Sequence, residues 1–140
     1  MGIGIHLFLC DIATGKPTDA KNDHQDMSRS PFMPHLYKHS DWIERMFTFE
    51  ISLTGKELRE KECEPDDPRY FSIDVEDEEG EDFIAGQLWG REELLQFQKE
   101  LQKVPFPVDN NYLAKEYAKL VSLVNRAVKD HTLTFLMTTM

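Results

Sequence analysis

Apolar and polar positions alternate at the start of the chain in IGIHLFLC. Ile3, Ile5, Leu7 and Leu9 share one parity and His6, Phe8 and Cys10 the other, so both faces are apolar enough for a central strand. The stretch at about 13–31 scatters Gly, Pro, Asn, Ser and Asp with no period of either kind and reads as a long polar loop or flap. Loops of this length inside a compact domain are uncommon, and tend to be functional or disordered. HLYKHSDWIER follows as a short helix that Pro34 can start. MFTFEISL is the clearest strand pattern, with Phe47, Phe49, Ile51 and Leu53 set against Thr48, Glu50 and Ser52. Thr54 and Glu57 have the spacing of a capping box, which predicts a short exposed helix in TGKELREKE that CEPDDP ends. YFSIDV and DFIAGQLW read as two more strands, the first with Phe71, Ile73 and Val75 in alternation.

The period then changes. In REELLQFQKELQKV the apolar positions Leu94, Phe97, Leu101 and Val104 step by three, four and three; Glu92 and Glu93 stand in the first turn, where the helix dipole favours them, and PFP ends the element. A second helix is expected from Asp109 as N-cap to about Lys129, with Leu113, Tyr117, Leu120, Val121, Val124 and Val128 along one stripe. HTLTFLMTT closes the chain as a strand, with Leu133, Phe135 and Met137 alternating. The expectation is an α+β fold: a mostly antiparallel sheet of about five strands, with two helices from the C-terminal half packed on one face.

A length of 140 residues with 40% hydrophobic and 11% aromatic side chains suits one domain, 1–140, with a core of its own. Cys10 and Cys63 make no disulfide framework, and neither has the spacing of a zinc or redox site. The first residues, MGIGIHLFLCD, lack the basic flank of a signal peptide, and His6 stands where myristoylation wants Ser or Thr. No run approaches the ~20 apolar residues of a membrane span. These features point to a cytoplasmic protein without a membrane role.

Charge changes the picture more than composition does. The acidic segment 57–82 holds 13 Asp or Glu against Arg59, Lys61 and Arg69, a local charge of 3 − 13 = −10, which equals the net charge of the whole chain. Such a segment repels nucleic acid, whose binding needs Lys and Arg to displace counterions, and is suited to steering a basic protein. At its end stands VEDEEGED, Val75 to Asp82. Setting Gly80 at position 6 of an EF-hand loop puts Val75 at position 1 and Gly86 at position 12, so that calcium pattern fails at both ends. The stretch reads as a hairpin with Glu79-Gly80 at its turn.

Metal and catalytic chemistry find little support. His35 and His39, four apart, share a helix face, with Asp41 close and His24 in the preceding loop, but HLYKH lacks the glutamate of a zinc hydrolase. His6 and Cys10 lie about 13 Å apart along a strand and make no nucleophilic pair. GxSxG, phosphate-cradling and dinucleotide-binding patterns are absent. No cofactor, metal or catalytic residue is therefore assigned. The reading that remains is a non-enzymatic binding module that engages a basic protein surface, as immunity proteins and inhibitors do, including those that mimic nucleic acid. Its partner-binding residues are Glu76, Asp77, Glu78, Glu79, Glu81 and Asp82, with Trp42 and Trp89 as aromatic anchors. The alternative is a small enzyme or metal-dependent protein with a site on the 13–45 loop.

Overall fold

The computed structural model describes residues 4–14, 16–19, 21–48, 52–53, 56–57, 70–77 and 80–139, with 52–87 and 139 described by the course of their backbone. In chain order the elements are β1 (Ile5–Asp11), β2 (His24–Asp26), α1 (Phe32–His39), α2 (Asp41–Phe47), β3 (Ser52–Leu53), β4 (Lys56–Glu57), β5 (Tyr70–Asp77), β6 (Gly80–Leu88), α3 (Arg91–Leu101), α4 (Asn111–Lys129) and β7 (Leu133–Thr139). The class is α+β with an antiparallel sheet. Its middle is β1, β7 and β6; the three-residue β2 lies outside β1, and β5 lies outside β6.

The strands differ from those the alternation predicts. Of MFTFEISL, Met46 and Phe47 close α2 and Ser52–Leu53 pairs with Lys56–Glu57 as a separate two-stranded ribbon, while 49–51 lie outside the described residues. The helical period wins because Ile43, Met46 and Phe47 step by three and one, a spacing that puts all three into the core. Glu57 accordingly belongs to β4 and not to the first turn of a capped helix; the rest of the expected helix, 58–62, lies outside the described residues.

The described residues hold four helices: the two expected in the C-terminal half, and two in place of the one short helix expected in HLYKHSDWIER. HLYKHSDWIER divides at Ser40, whose extended backbone (φ −149°, ψ 109°) ends α1 and whose hydroxyl accepts from the Ile43 amide to cap α2. The same hydroxyl donates to Glu100 Oε1 at 2.8 Å, which ties the corner to α3. The N-cap of α4 is Asn110, one residue beyond the expected Asp109, because its side chain is the one that accepts from the Leu113 amide. Arg91 at the start of α3 donates to the carbonyls of Ala127 and Val128, satisfying acceptors at the end of α4 that a helix leaves without partners.

All four helices contribute to one core with the sheet face that carries Ile5, Leu7, Leu9, Phe135 and Met137. Phe97 is its aromatic centre, with ring centroids at 5.1 Å from Trp89, 5.9 Å from Phe47, 6.4 Å from Trp42 and 6.4 Å from Phe135. On the other face Phe8 and Leu136 are register partners and both are buried. No helix among the described residues is long and apolar enough to cross a membrane.

The described part of the 13–31 stretch is tied to the rest of the domain at several points. It contains β2, and Gln25 and Met27 within it are fully buried. The Met27 amide donates to Ile5 O, the Leu9 amide to Asp23 O, and Arg126 grips both carboxylate oxygens of Asp23 at 2.7 and 3.2 Å. Gln25 donates to the Glu116 carboxylate of α4. Its partners are therefore distant in sequence, which is why the segment shows no local period.

Candidate functional site

β5 and β6 pair without interruption from Tyr70↔Gln87 to Asp77↔Gly80, whereas β6 meets β7 only from Gly86 to Leu88. Residues 80–85 thus pair with β5 alone among the described strands, and about 20 Å of two-stranded ribbon extends past the three-strand region. The acidic residues sit at its far end. Glu76 stands opposite Glu81 and Asp82 opposite Val75, so like charges occupy one directly opposed pair of register positions, an arrangement that weakens a ribbon. Gly80 is in the ladder opposite Asp77, so the turn is not Glu79-Gly80; the connecting Glu78 and Glu79 lie outside the described residues.

The tryptophans are not brought to this end. Trp89 follows β6 at its opposite end, nine residues or about 30 Å of strand from Gly80. It is 3% exposed and packed against Phe47, Phe97 and Phe135, which makes it a core residue and not a surface anchor. Trp42 is half-buried on α2 against Phe97.

Helix α1 does put His35 and His39 on one face, with ring centroids 5.4 Å apart and nearly perpendicular. His35 Nε2 faces the Pro105 carbonyl at 3.2 Å, and because that oxygen only accepts, the nitrogen donates. Asp41 opens α2 and is exposed. His24 is held elsewhere, on β2. Among the described residues no three His, Cys, Asp or Glu side chains are grouped to hold a metal ion.

His24 belongs to a cluster that sequence reasoning did not assemble. His6 Nδ1 and His24 Nε2 share a hydrogen bond of 2.9 Å, and the His24 ring stacks on Phe8 at 4.8 Å. His6 Nε2 lies 3.8 Å from Asp26 Oδ1, close enough for an ion pair once His6 is protonated and too far for a hydrogen bond. Burial holds His6 below the ordinary imidazole range against the attraction of Asp26. Burial also lowers His24, and the positive charge of His6 and Lys119 adds to it. For Asp26 burial pushes the carboxyl up, but hydrogen bonds from Ser28 and the charges of His6 and Arg29 together hold it below its usual value. The signal lay in HQD, where His24 and Asp26 share parity around the buried Gln25; the pairing with His6 exists only through the β1–β2 register His6↔Asp26 and Phe8↔His24.

Chemically, the cluster is two neutral imidazoles that hold an edge strand in place. His24 Nδ1 is buried and makes no hydrogen bond. Cys10 is fully buried and burial pushes its thiol up to about 12, which removes the thiolate a nucleophile needs. Compared with protein-family models, curated proteins and solved structures, the chain matches none.

Proposed function

We propose that the chain is a cytoplasmic, non-enzymatic acidic binding module whose β5–β6 ribbon engages a basic protein surface, in the manner of an immunity protein or inhibitor. One observation supports this reading above the rest: the acidic positions Glu76, Asp77, Glu81 and Asp82 stand at the end of the ribbon where β6 pairs with β5 alone among the described strands. Charge concentrated on a projecting element acts before contact and raises association rates, in favourable cases by about 10 to 10³. In this reading recognition is electrostatic, since Trp89 lies in the core and Trp42 is half-buried.

The test is kinetic. A partner retained from the native host is measured against the wild type and against a variant with Glu76, Glu78, Glu79 and Glu81 changed to Gln and Asp77 and Asp82 to Asn. The variant is expected to associate more slowly, and the wild-type on-rate to fall as salt rises from low to physiological ionic strength. Equal and salt-insensitive rates would remove the ribbon from recognition.

A further inference from the structure

A second surface lies on α4, away from the acidic segment in sequence and opposite to it in charge. A groove of about 560 Å³ is lined by the apolar or aromatic Phe106, Tyr117 and Val121 and by the small residues Ala118 and Ser122. Through Tyr117, Val121 and Asn125 it runs into a hollow of about 160 Å³ against Gln98 of α3 and Gln102 just after it. The two form one trough along the α3–α4 seam. Phe106 meets Tyr117 edge-to-face at 5.3 Å yet stays 51% exposed, and Leu95, 44% exposed, lies one turn before Gln98 on α3.

Its charge is informative. The chain has 26 acids and 16 bases, but among the described residues no Asp or Glu lines the trough, whereas Arg126 and Lys129 do. Arg126 is held by Asp23; Lys129 makes no ion pair among the described residues. From Ala118 to Lys129 the wall of α4 is about 16 Å long, or three helical turns. Small residues on such a ridge let a third helix approach, and an amphipathic helix in a groove between two others is a recurrent mode of peptide recognition.

We infer that the α3–α4 trough is a docking site for an amphipathic helix of a partner protein whose apolar stripe is flanked by carboxylates. Apolar side chains fill the hollow over Phe106, Tyr117 and Val121, and carboxylates meet Lys129 and the Arg126 end. This site does not depend on the acidic ribbon, which faces partners of the opposite charge.

The probe is a capped synthetic helix of about 14 residues, roughly 20 Å long, with Leu at helical spacing and Glu beside it, together with a counterpart that has Lys in place of Glu. Titrated into the ¹⁵N-labelled protein, the Glu peptide is expected to bind saturably and to shift the amides of Ala118, Val121, Ser122 and Asn125. The Lys peptide should bind several-fold more weakly at low salt. Ala118→Trp, an exposed position, should fill the groove and abolish binding, and Lys129→Glu should weaken it about fivefold. Changing Glu76, Asp77, Glu81 and Asp82 to their amides should leave it unchanged, which separates failure here from failure of the ribbon. Equal binding of both peptides, or indifference to Ala118→Trp, would overturn the proposal. So would a dimer of the free protein that Ala118→Trp dissolves, since a second copy would then cover the groove. Shifts of these amides by decanoate but not by the Glu peptide would point to a small amphiphile and refute it equally.

Discussion

Phe97 shows how much of this fold rests on single side chains. It is fully buried and touches the rings of α2, the end of β6 and β7 at once, so truncation leaves a void that rigid neighbours cannot fill. Phe97→Ala is expected to cost about 3–5 kcal/mol in chemical unfolding. The histidines carry a different signature. Because burial lowers both His6 and His24, the unfolded chain binds protons more readily than the folded one below about 6.5, the ordinary histidine value. Their stabilising contribution is complete above that pH and is lost as the pH falls through the depressed folded values. Urea midpoints should therefore drop from pH 7.5 to 5.5. His24→Phe, which keeps the stack on Phe8, should flatten that dependence; an unchanged slope would mean that other groups set it. Phe97 was legible as a member of a helical stripe. His6 with His24 was not, because the pair is 18 residues apart and joined only by strand register.

At the scale of elements, legibility followed the range of the interactions that hold each one. β1, β7, α3 and α4 carry their own period and the sequence predicts each of them, although α3 stops at Leu101, three residues before the expected Val104, and β7 starts at Leu133, two after the expected His131. β2 has no period to read, since it is fixed by contacts with residues about a hundred positions away, Glu116 and Arg126. Met46 and Phe47, the start of the MFTFEISL alternation, go instead to a helical run already capped at Ser40, and β-propensity commonly yields to such context. Two measurements follow from these local ties. Ser40→Ala removes the α2 cap and a donor to the buried Glu100, and should cost about 1–2 kcal/mol. Asp23→Asn weakens the clamp of Arg126 on the segment before β2, and should speed hydrogen exchange in β2 while α3 keeps its protection. Uniform acceleration across the domain would show that this clamp is global and not local.

For the whole molecule the dominant fact is polarity along the chain, with a local charge of 3 − 13 = −10 in 57–82 and 13 acids against 13 bases in the remainder. Like charges opposed at Glu76 and Glu81 repel, so amides at Glu76, Asp77, Glu81 and Asp82 should leave the melting temperature unchanged or raise it at low salt. Added salt should narrow that difference. A clear loss of stability would mean that the carboxylates hold the ribbon together and have structural work to do. The segment was readable from the sequence as a hairpin; that its acidic end lies beyond the reach of β7 was not, because that depends on where the β6–β7 register stops.

The β1–β7 pairing sets a limit on how this domain is made. Ile5 faces Thr139 and Asp11 faces Leu133, so the middle of the sheet joins segments separated by nearly the full length of the chain. During synthesis no central sheet can close until 133–139 has left the ribosome, and everything before it waits with the faces of β1 uncovered. Contacts of such long sequence separation make for slow folding, in the millisecond-to-second range typical of sheet-rich topologies. The same geometry makes the break in the chain movable: joining 139 to 5 by a short linker and reopening the chain in the exposed 105–109 connection would turn the slowest contact into a local hairpin. Such a permutant is expected to keep the fold and to reach it faster.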